Sequence, residues 1–243
     1  MLARNEALYE WPLSNGDVIG IRKFVIDDVY HDHINQTGPI LQIGSRESIL
    51  DQDGGKWRHL FPDRQIIGID VEDGDNVDFV FDITDKPAKL RKLTGHHQFN
   101  TIICAHVLEH VKNPFAAARN IEKLTTDGGT VIVTIPWVQG YHEFPDDYWR
   151  VSFSGLKILF PNLAPVTEYY SDARDEFGYQ LTYNGDVEHS RRTCRIERNL
   201  FQLSLDQIPG QNMFDDFDGE KIHLSNLYMP AMSVNWIGKK VSH

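Results

Sequence analysis

The sequence predicts a doubly wound, mostly parallel α/β sheet, and three observations carry that reading. Between Ile40 and Ile135, short β-rich runs recur at regular intervals, and several are apolar throughout. Strands look like that when helices cover both faces of the sheet. Helical stretches separate the runs, as crossovers between parallel strands require. The turns between them carry glycine, aspartate and proline, which punctuate such units.

Taken in order, the predicted strands are Ile40–Ile43, Gln65–Ile69, Phe79–Phe81, Thr101–Cys104 and Thr130–Ile135. Before the first, Phe24–Ile34 reads as a helix over an outer sheet face, within a helical or irregular N-terminal extension spanning 1–38. Lys86–Leu93 is a short helix candidate. Pro114–Leu124 is a better one, because Phe115, Ala118, Ile121 and Leu124 recur at helical spacing and Asp127-Gly128-Gly129 suits a tight turn after it. Ser154–Phe160 predicts a helix capped by Ser154 and ended by Pro161. Val166–Tyr170, Tyr179–Tyr183 and Leu200–Leu205 are further strand candidates. The core is placed at 39–160. Residues 161–243 are expected to complete the sheet and cover its ligand side within the same domain. Residues 141–243 hold 16 of the 27 aromatic residues, which opposes disorder there and makes a homodimer contact a candidate.

Composition excludes several classes. With 41% hydrophobic and 24% charged residues, the 243-residue chain is ordinary for a globular protein. Apolar stretches such as Thr130–Val138 are too short to span a bilayer. Glu6 and Glu10 interrupt the N-terminus where a signal peptide needs an apolar core, so a cytoplasmic location is expected. Two cysteines, Cys104 and Cys194, are too few for a disulfide framework or a cysteine zinc site. A net charge of −11 opposes nucleic acid binding, and Arg191, Arg192, Arg195 and Arg198 read as a solvated face.

Sheets of this kind bind ligands beyond the carboxyl ends of their strands. Gly44-Ser45-Arg46-Glu47 follows the first strand, where a glycine lets the backbone approach a ligand. The G-x-G-x-x-G fingerprint of dinucleotide enzymes is absent, and Gly54-Gly55 lies too far along to restore it. Asp70 ends the second strand 26 residues after Gly44, near the roughly 20-residue spacing of nucleotide-binding units. Its carboxylate can accept both ribose hydroxyls of a nucleoside, or act as a turn residue. Asp82-Ile83 follows the third strand. Asp82 suits an exocyclic amine or a helix cap equally, and Ile83, like Val71 or Glu72, an aromatic base. After the fourth strand, Ala105 and His106 open the segment Ala105–Val111. His106, Glu109 and His110 do not form an H-E-x-x-H pattern, so no metal is expected.

Together these segments resemble the class I S-adenosylmethionine-dependent methyltransferases, in particular their type-11-like branch. The carrying stretches are LQIGSRE (41–47), IIGIDVEDGDNVDFVFDITD (66–85) and FNTIICAHVLEHVKNPFAAARNIEKLTTDGGTVIVTIP (99–136). HEFPDDYWRVSFSGL (142–156) is similar to a segment found in some members associated with glycan and surface-polysaccharide synthesis. The resemblance covers about residues 39–160 and implies a Rossmann-like, mostly parallel seven-stranded sheet with C-terminal embellishments. It implies S-adenosylmethionine as cofactor, with Gly44, Ser45 and Arg46 near its methionine portion and Asp70 on the ribose. Val71, Asp82 and Ile83 would then lie at the adenine, and Ala105 and His106 near the sulfonium and amino acid. The first loop departs from the family's G-x-G-x-G, reading G-S-R-E-S.

A small-molecule or sugar/glycan acceptor, methylated at a hydroxyl, is therefore expected. A hydroxyl must lose its proton as it is methylated, and His142 and Asp147, with His110 behind them, are the candidate groups. Asp147 paired with Arg150 and a packed Trp149 is the alternative reading of their segment. Two competing functions remain at this point: a catalytically inactive methyltransferase-like binding or assembly protein, which the atypical loop favours, and a nicotinamide-dependent oxidoreductase, which the missing glycine fingerprint opposes.

Overall fold

Ile40–Ile43 is the shortest parallel strand candidate with no exposed side chain, and in the computed structural model it lies at the centre of a parallel ladder. The structure describes residues 7–34, 37–47, 53–142, 146–172, 176–188 and 231–241. They form two compact units. One comprises Tyr30–Ile135, His142–Glu168 and Asn235–His243; the other comprises Met1–Val29, Pro136–Tyr141 and Tyr169–Val234. Thr125–Val138, Leu163–Asp172 and Met232–Lys240 each have residues in both units.

The strands are β1 (Ala7–Pro12), β2 (Val18–Val25), β3 (Ile40–Ile43), β4 (Ile66–Asp70), β5 (Phe79–Val80), β6 (Phe99–Ala105), β7 (Thr125–Val138), β8 (Leu163–Asp172), β9 (Phe177–Tyr183), β10 (Asp186–Val187) and β11 (Met232–Lys240). The helices are α1 (Ile26–His33), α2 (Lys56–Leu60), α3 (Pro87–Thr94), α4 (Pro114–Leu124) and α5 (Phe153–Leu159). In the first unit the strand order is β8-β11-β7-β6-β3-β4-β5. The pairs β3/β4, β3/β6, β4/β5 and β6/β7 are parallel. From β3 the chain winds outward to β4 and β5, then returns to β6 on the other side. The winding therefore reverses at β3, the doubly wound arrangement that opens a crevice at the strand ends. Eleven strands are described where seven were expected; the additional four, β1, β2, β9 and β10, belong to the other unit.

Apolar side chains account for these elements. Ile40, Leu41, Ile69, Ile102, Ile103, Val131 and Val133 are all buried, as a sheet covered on both faces demands. In α4, Ala117, Ala118, Ile121 and Leu124 form the buried face, while Phe115, expected with them, is exposed. Asn113 caps this helix by accepting from the Ala116 N–H at 3.0 Å, with Pro114 at the first turn. Asp127–Gly129, expected as a separate turn, falls inside β7, with Gly128 at φ +71° and the β6/β7 register shifting nearby. The cap of α5 is Ser152 rather than Ser154: its hydroxyl accepts from Gly155 N–H at 3.3 Å. Thr134 donates to Asn235 at 2.7 Å, a buried side-chain bond between β7 and β11.

In the second unit, residues expected to be helical or irregular form an antiparallel hairpin of β1 and β2, and only Ile26–His33 is helical. The apolar signal there is that of a strand: Ile19, Ile21 and Phe24 are buried while Arg22 and Lys23 are not. β2 pairs antiparallel with β9, and Phe24 meets Tyr169 edge-on at 5.3 Å. Leu200–Leu205 and the arginine cluster at 191–198 lie outside the described residues.

Candidate functional site

The loop after β3 turns on one glycine. Gly44 has φ +72°, and a Cβ there would sit 2.3 Å from Val107 Cγ2. Both the left-handed backbone and the close approach require glycine. Ser45, Arg46 and Glu47 have no positive φ, so arginine at the family's second glycine position, Arg46, introduces no backbone strain. Gly44 and Ser45 donate their N–H groups to Ile69 O at 2.9 and 3.2 Å, anchoring the loop to the end of β4. Ser45 is buried and its hydroxyl has no hydrogen-bond partner among the described residues.

Asp70 stands beside this loop. One carboxylate oxygen accepts from Arg46 N–H at 3.3 Å and the other from Glu72 N–H at 3.1 Å. A carboxylate oxygen has two lone pairs, so both retain capacity for a pair of hydroxyl donors. Arg46 and Glu72 pair at 2.8 Å across the two loops. Val71, at the strand end, is 58% exposed, an uncovered apolar side chain of the kind that meets a planar base.

Asp82 does not cap a helix, because α3 begins after Lys86. Instead Asp82 Oδ1 accepts from both Thr84 N–H and Thr84 Oγ1–H at 2.7 Å, closing its own turn. Ile83 is buried, and its carbonyl accepts from Asn120 Nδ2 at 2.8 Å. Two glycines escaped the sequence reading. A Cβ on Gly54 would lie 2.6 Å from Ser45 O, and one on Gly68 would lie 2.2 Å from Asn76 O and 2.5 Å from Ser45 Oγ. The Gly54-Gly55 pair was the available signal for the first, discounted for its distance along the chain. Gly68 sits in a strand, where a glycine marks close approach of another backbone.

Ala105 ends β6 half-buried, and beyond it His106 adopts φ +53°, which swings the chain into a 3-10 turn, Leu108–His110. This turn holds the segment that includes Asp147. Tyr148 N–H donates to Glu109 O at 2.7 Å, Trp149 Nε1–H donates to Val111 O at 2.9 Å, and His110 Nδ1 lies 2.6 Å from Asp146 O. The His110 and His142 rings meet edge-on at 4.9 Å. His110, His142 and Asp147 are thus brought together.

Their roles differ, however. The Asp147 side chain is 2% exposed and held by Arg150 through both carboxylate oxygens, at 2.5 and 2.6 Å. It also accepts the His142 backbone N–H at 3.0 Å, with His142 Nδ1 3.2 Å away. The Arg150 hydrogen bonds in particular draw its pKa down to about 2, against the opposing effect of burial. With Arg150 on both oxygens and the His142 N–H on one of them, Asp147 has the contacts of the alternative expected for it, a residue that braces its own segment. Trp149 stays partly exposed and is fixed through its indole N–H rather than by core packing. Cys104 is fully buried, and burial pushes its thiol well up from the ordinary range, as suits an inert apolar side chain.

Among the described residues no helix is long and apolar enough to cross a membrane. The family of methyltransferase domains matches residues 34–172, more than half of the chain and all of the loops described above. No curated protein matches the sequence. Among solved structures, an S-adenosylmethionine-dependent methyltransferase from Archaeoglobus fulgidus is similar with TM-score 0.51 at 12% identity, over 87% of this chain and 90% of that one. A Bacillus halodurans protein assigned as a methyltransferase gives TM-score 0.50 at 9% identity, over 89% and 99% of the two chains. At such identities the likeness is one of fold. The chain belongs to the methyltransferase-domain family and has the Rossmann-like fold of the class I S-adenosylmethionine-dependent methyltransferases.

Proposed function

We propose that this chain methylates a hydroxyl of a small-molecule or sugar/glycan acceptor, with S-adenosylmethionine as the methyl donor. The observation that carries the reading is the position of the turn after β6. On one side Val107 abuts Gly44 in the first loop; on the other, Glu109, His110 and Val111 bind residues 146–149. One turn thereby joins a nucleoside-type loop set to a histidine-bearing surface.

The residues fit the cofactor on chemical grounds. Asp70 retains lone pairs for two ribose hydroxyls, and exposed Val71 offers an apolar face to adenine. Asp82 has Oδ2 left for the adenine amine, with Ile83 buried behind it. Gly44, Ser45 and Arg46 supply the loop toward the methionine portion, and Ala105 and His106 the opposite wall. When bound, the cofactor supplies a methyl group activated on a sulfonium sulfur. The protein's contribution is to align the acceptor oxygen, exclude water and receive the hydroxyl proton. With Nδ1 donating to Asp146 O, His110 presents Nε2 as a basic nitrogen, and His142 stands beside it.

Calorimetry with S-adenosylhomocysteine tests the cofactor half, and transfer of labelled methyl to a panel of hydroxylated sugars and phenols tests the rest. Binding followed by transfer to oxygen is the expected outcome. No binding at millimolar concentration would leave a methyltransferase-like binding or assembly protein as the better description. A stabilising response to NAD instead would favour the oxidoreductase.

A further inference from the structure

Glu109 is an anomaly in the turn after β6. It is 0% exposed, and neither carboxylate oxygen accepts a hydrogen bond among the described residues. Burying a carboxylate without donors is strongly unfavourable unless a compensating charge stands close by. His106 Nδ1 is 3.5 Å from Oε1, beyond a good hydrogen bond, and Arg150, whose charge Glu109 does influence, is committed to Asp147.

Two imidazoles approach the same carboxylate. One donor atom each from Glu109, His110 and His142 lies within 4.8 Å of the other two, and His110 Nε2 is 3.9 Å from Glu109 Oε1. A carbonyl oxygen only accepts, so Nδ1 is the donor to Asp146 O, and Nε2 is the nitrogen turned toward the buried, donor-less carboxylate. A cation between them would be ligated by both. Zinc bonds of about 2.0–2.1 Å place tetrahedral ligand atoms about 3.3 Å apart, so small side-chain rotations suffice.

We propose that Glu109, His110 and His142 bind a first-row transition dication, with Zn²⁺ the best match to two imidazoles and one carboxylate. The set leaves a coordination position open, as catalytic rather than structural sites do. The outer partners are also in place. Asp146 O orients His110, while Asp147, clamped by Arg150, lies 3.2 Å from His142 Nδ1. The sequence reading expected no metal because His106, Glu109 and His110 lack zincin spacing; the third ligand here is 32 residues further on. Resting on the hydroxyl reading above, the open position takes the acceptor oxygen. With the metal bound, His110 Nε2 is a ligand and the dication takes over the role given above to the histidine base. The coordinated hydroxyl ionises more readily, releases its proton to solvent, and attacks the methyl carbon as the carbon–sulfur bond breaks and S-adenosylhomocysteine leaves.

Equilibrium dialysis of the chelator-treated full chain against Zn²⁺ tests the site, with Co²⁺ absorption as a coordination signature. One equivalent bound per chain is expected, with the visible bands of a four-coordinate or five-coordinate Co²⁺ centre. His142→Ala, on a half-exposed residue, and His110→Ala should each weaken binding at least tenfold, and Asp147→Asn by about 10–100-fold through the outer partner. S-adenosylhomocysteine affinity, measured on the same samples, should not change in His142→Ala. Failure to bind Zn²⁺ stoichiometrically, or full binding by His142→Ala, overturns the proposal. Stoichiometric Zn²⁺ without S-adenosylhomocysteine binding would uphold the metal site and reject the methyl-transfer reading.

Discussion

His110 Nδ1 lies 2.6 Å from the main-chain oxygen of Asp146, 36 residues away in sequence. That contact sets the histidine's tautomer and ties the turn after β6 to the start of the Asp146–Arg150 segment. It gives His110 two separable functions, one in orientation and one in chemistry. His110→Asn should retain part of the orienting bond but lose the basic ring nitrogen. Methyl transfer is expected to fall by about 10²–10⁴-fold, the usual contribution of a positioned base, with cofactor affinity nearly unchanged. Comparing kcat with calorimetric S-adenosylhomocysteine affinity checks it; an equal loss in both would show that the residue only supports the fold.

Gly44 is the next place where one atom matters. Gly44→Ala adds a Cβ into Val107 Cγ2 on a backbone with φ +72°. The backbone strain alone is expected to cost about 1–2 kcal/mol. Urea denaturation should show a loss of at least that size. Gly44→Ala combined with Val107→Ala should recover the steric part while leaving the conformational part. Complete recovery would mean that φ at this position is not constrained.

Asp70 combines two backbone acceptor bonds with the expected ribose contacts. Hydrogen bonds to charged groups contribute about 1.5–3 kcal/mol each, so Asp70→Ala should weaken S-adenosylhomocysteine binding by at least about tenfold. Titration calorimetry decides it. Unchanged affinity would remove Asp70 from the nucleoside site.

Asp147 should leave a signature in acid. Its pKa is drawn from 3.8 down to about 2, chiefly by Arg150, so the folded state favours the ionised carboxylate. The stabilisation is therefore complete above about pH 4 and is lost as pH falls from about 4 toward 2. Thermal melts across that window should show a steeper decline in the natural protein than in Asp147→Asn. Parallel curves would argue that the Arg150 pair contributes nothing net.

The sequence by itself determined the winding of the parallel region, because strands buried on both faces must be apolar throughout and their crossovers must be amphipathic. Ile40–Ile43 and Pro114–Leu124 occupy the predicted residues for that reason. It also determined which acids follow which strands, since topology puts strand ends on one edge. Only tertiary structure decided the rest. The N-terminal hairpin depends on β9, more than 150 residues away, and no local period reports such a partner. Gly54 and Gly68 matter through the backbone that crosses them. The sequence left Asp147 open between a proton acceptor and a partner of Arg150, and only the fold puts Arg150 on both of its oxygens; the burial of Glu109 without a donor was likewise visible only there. Charge, burial and distance decide these roles, and they are set by residues that meet only when the chain has folded.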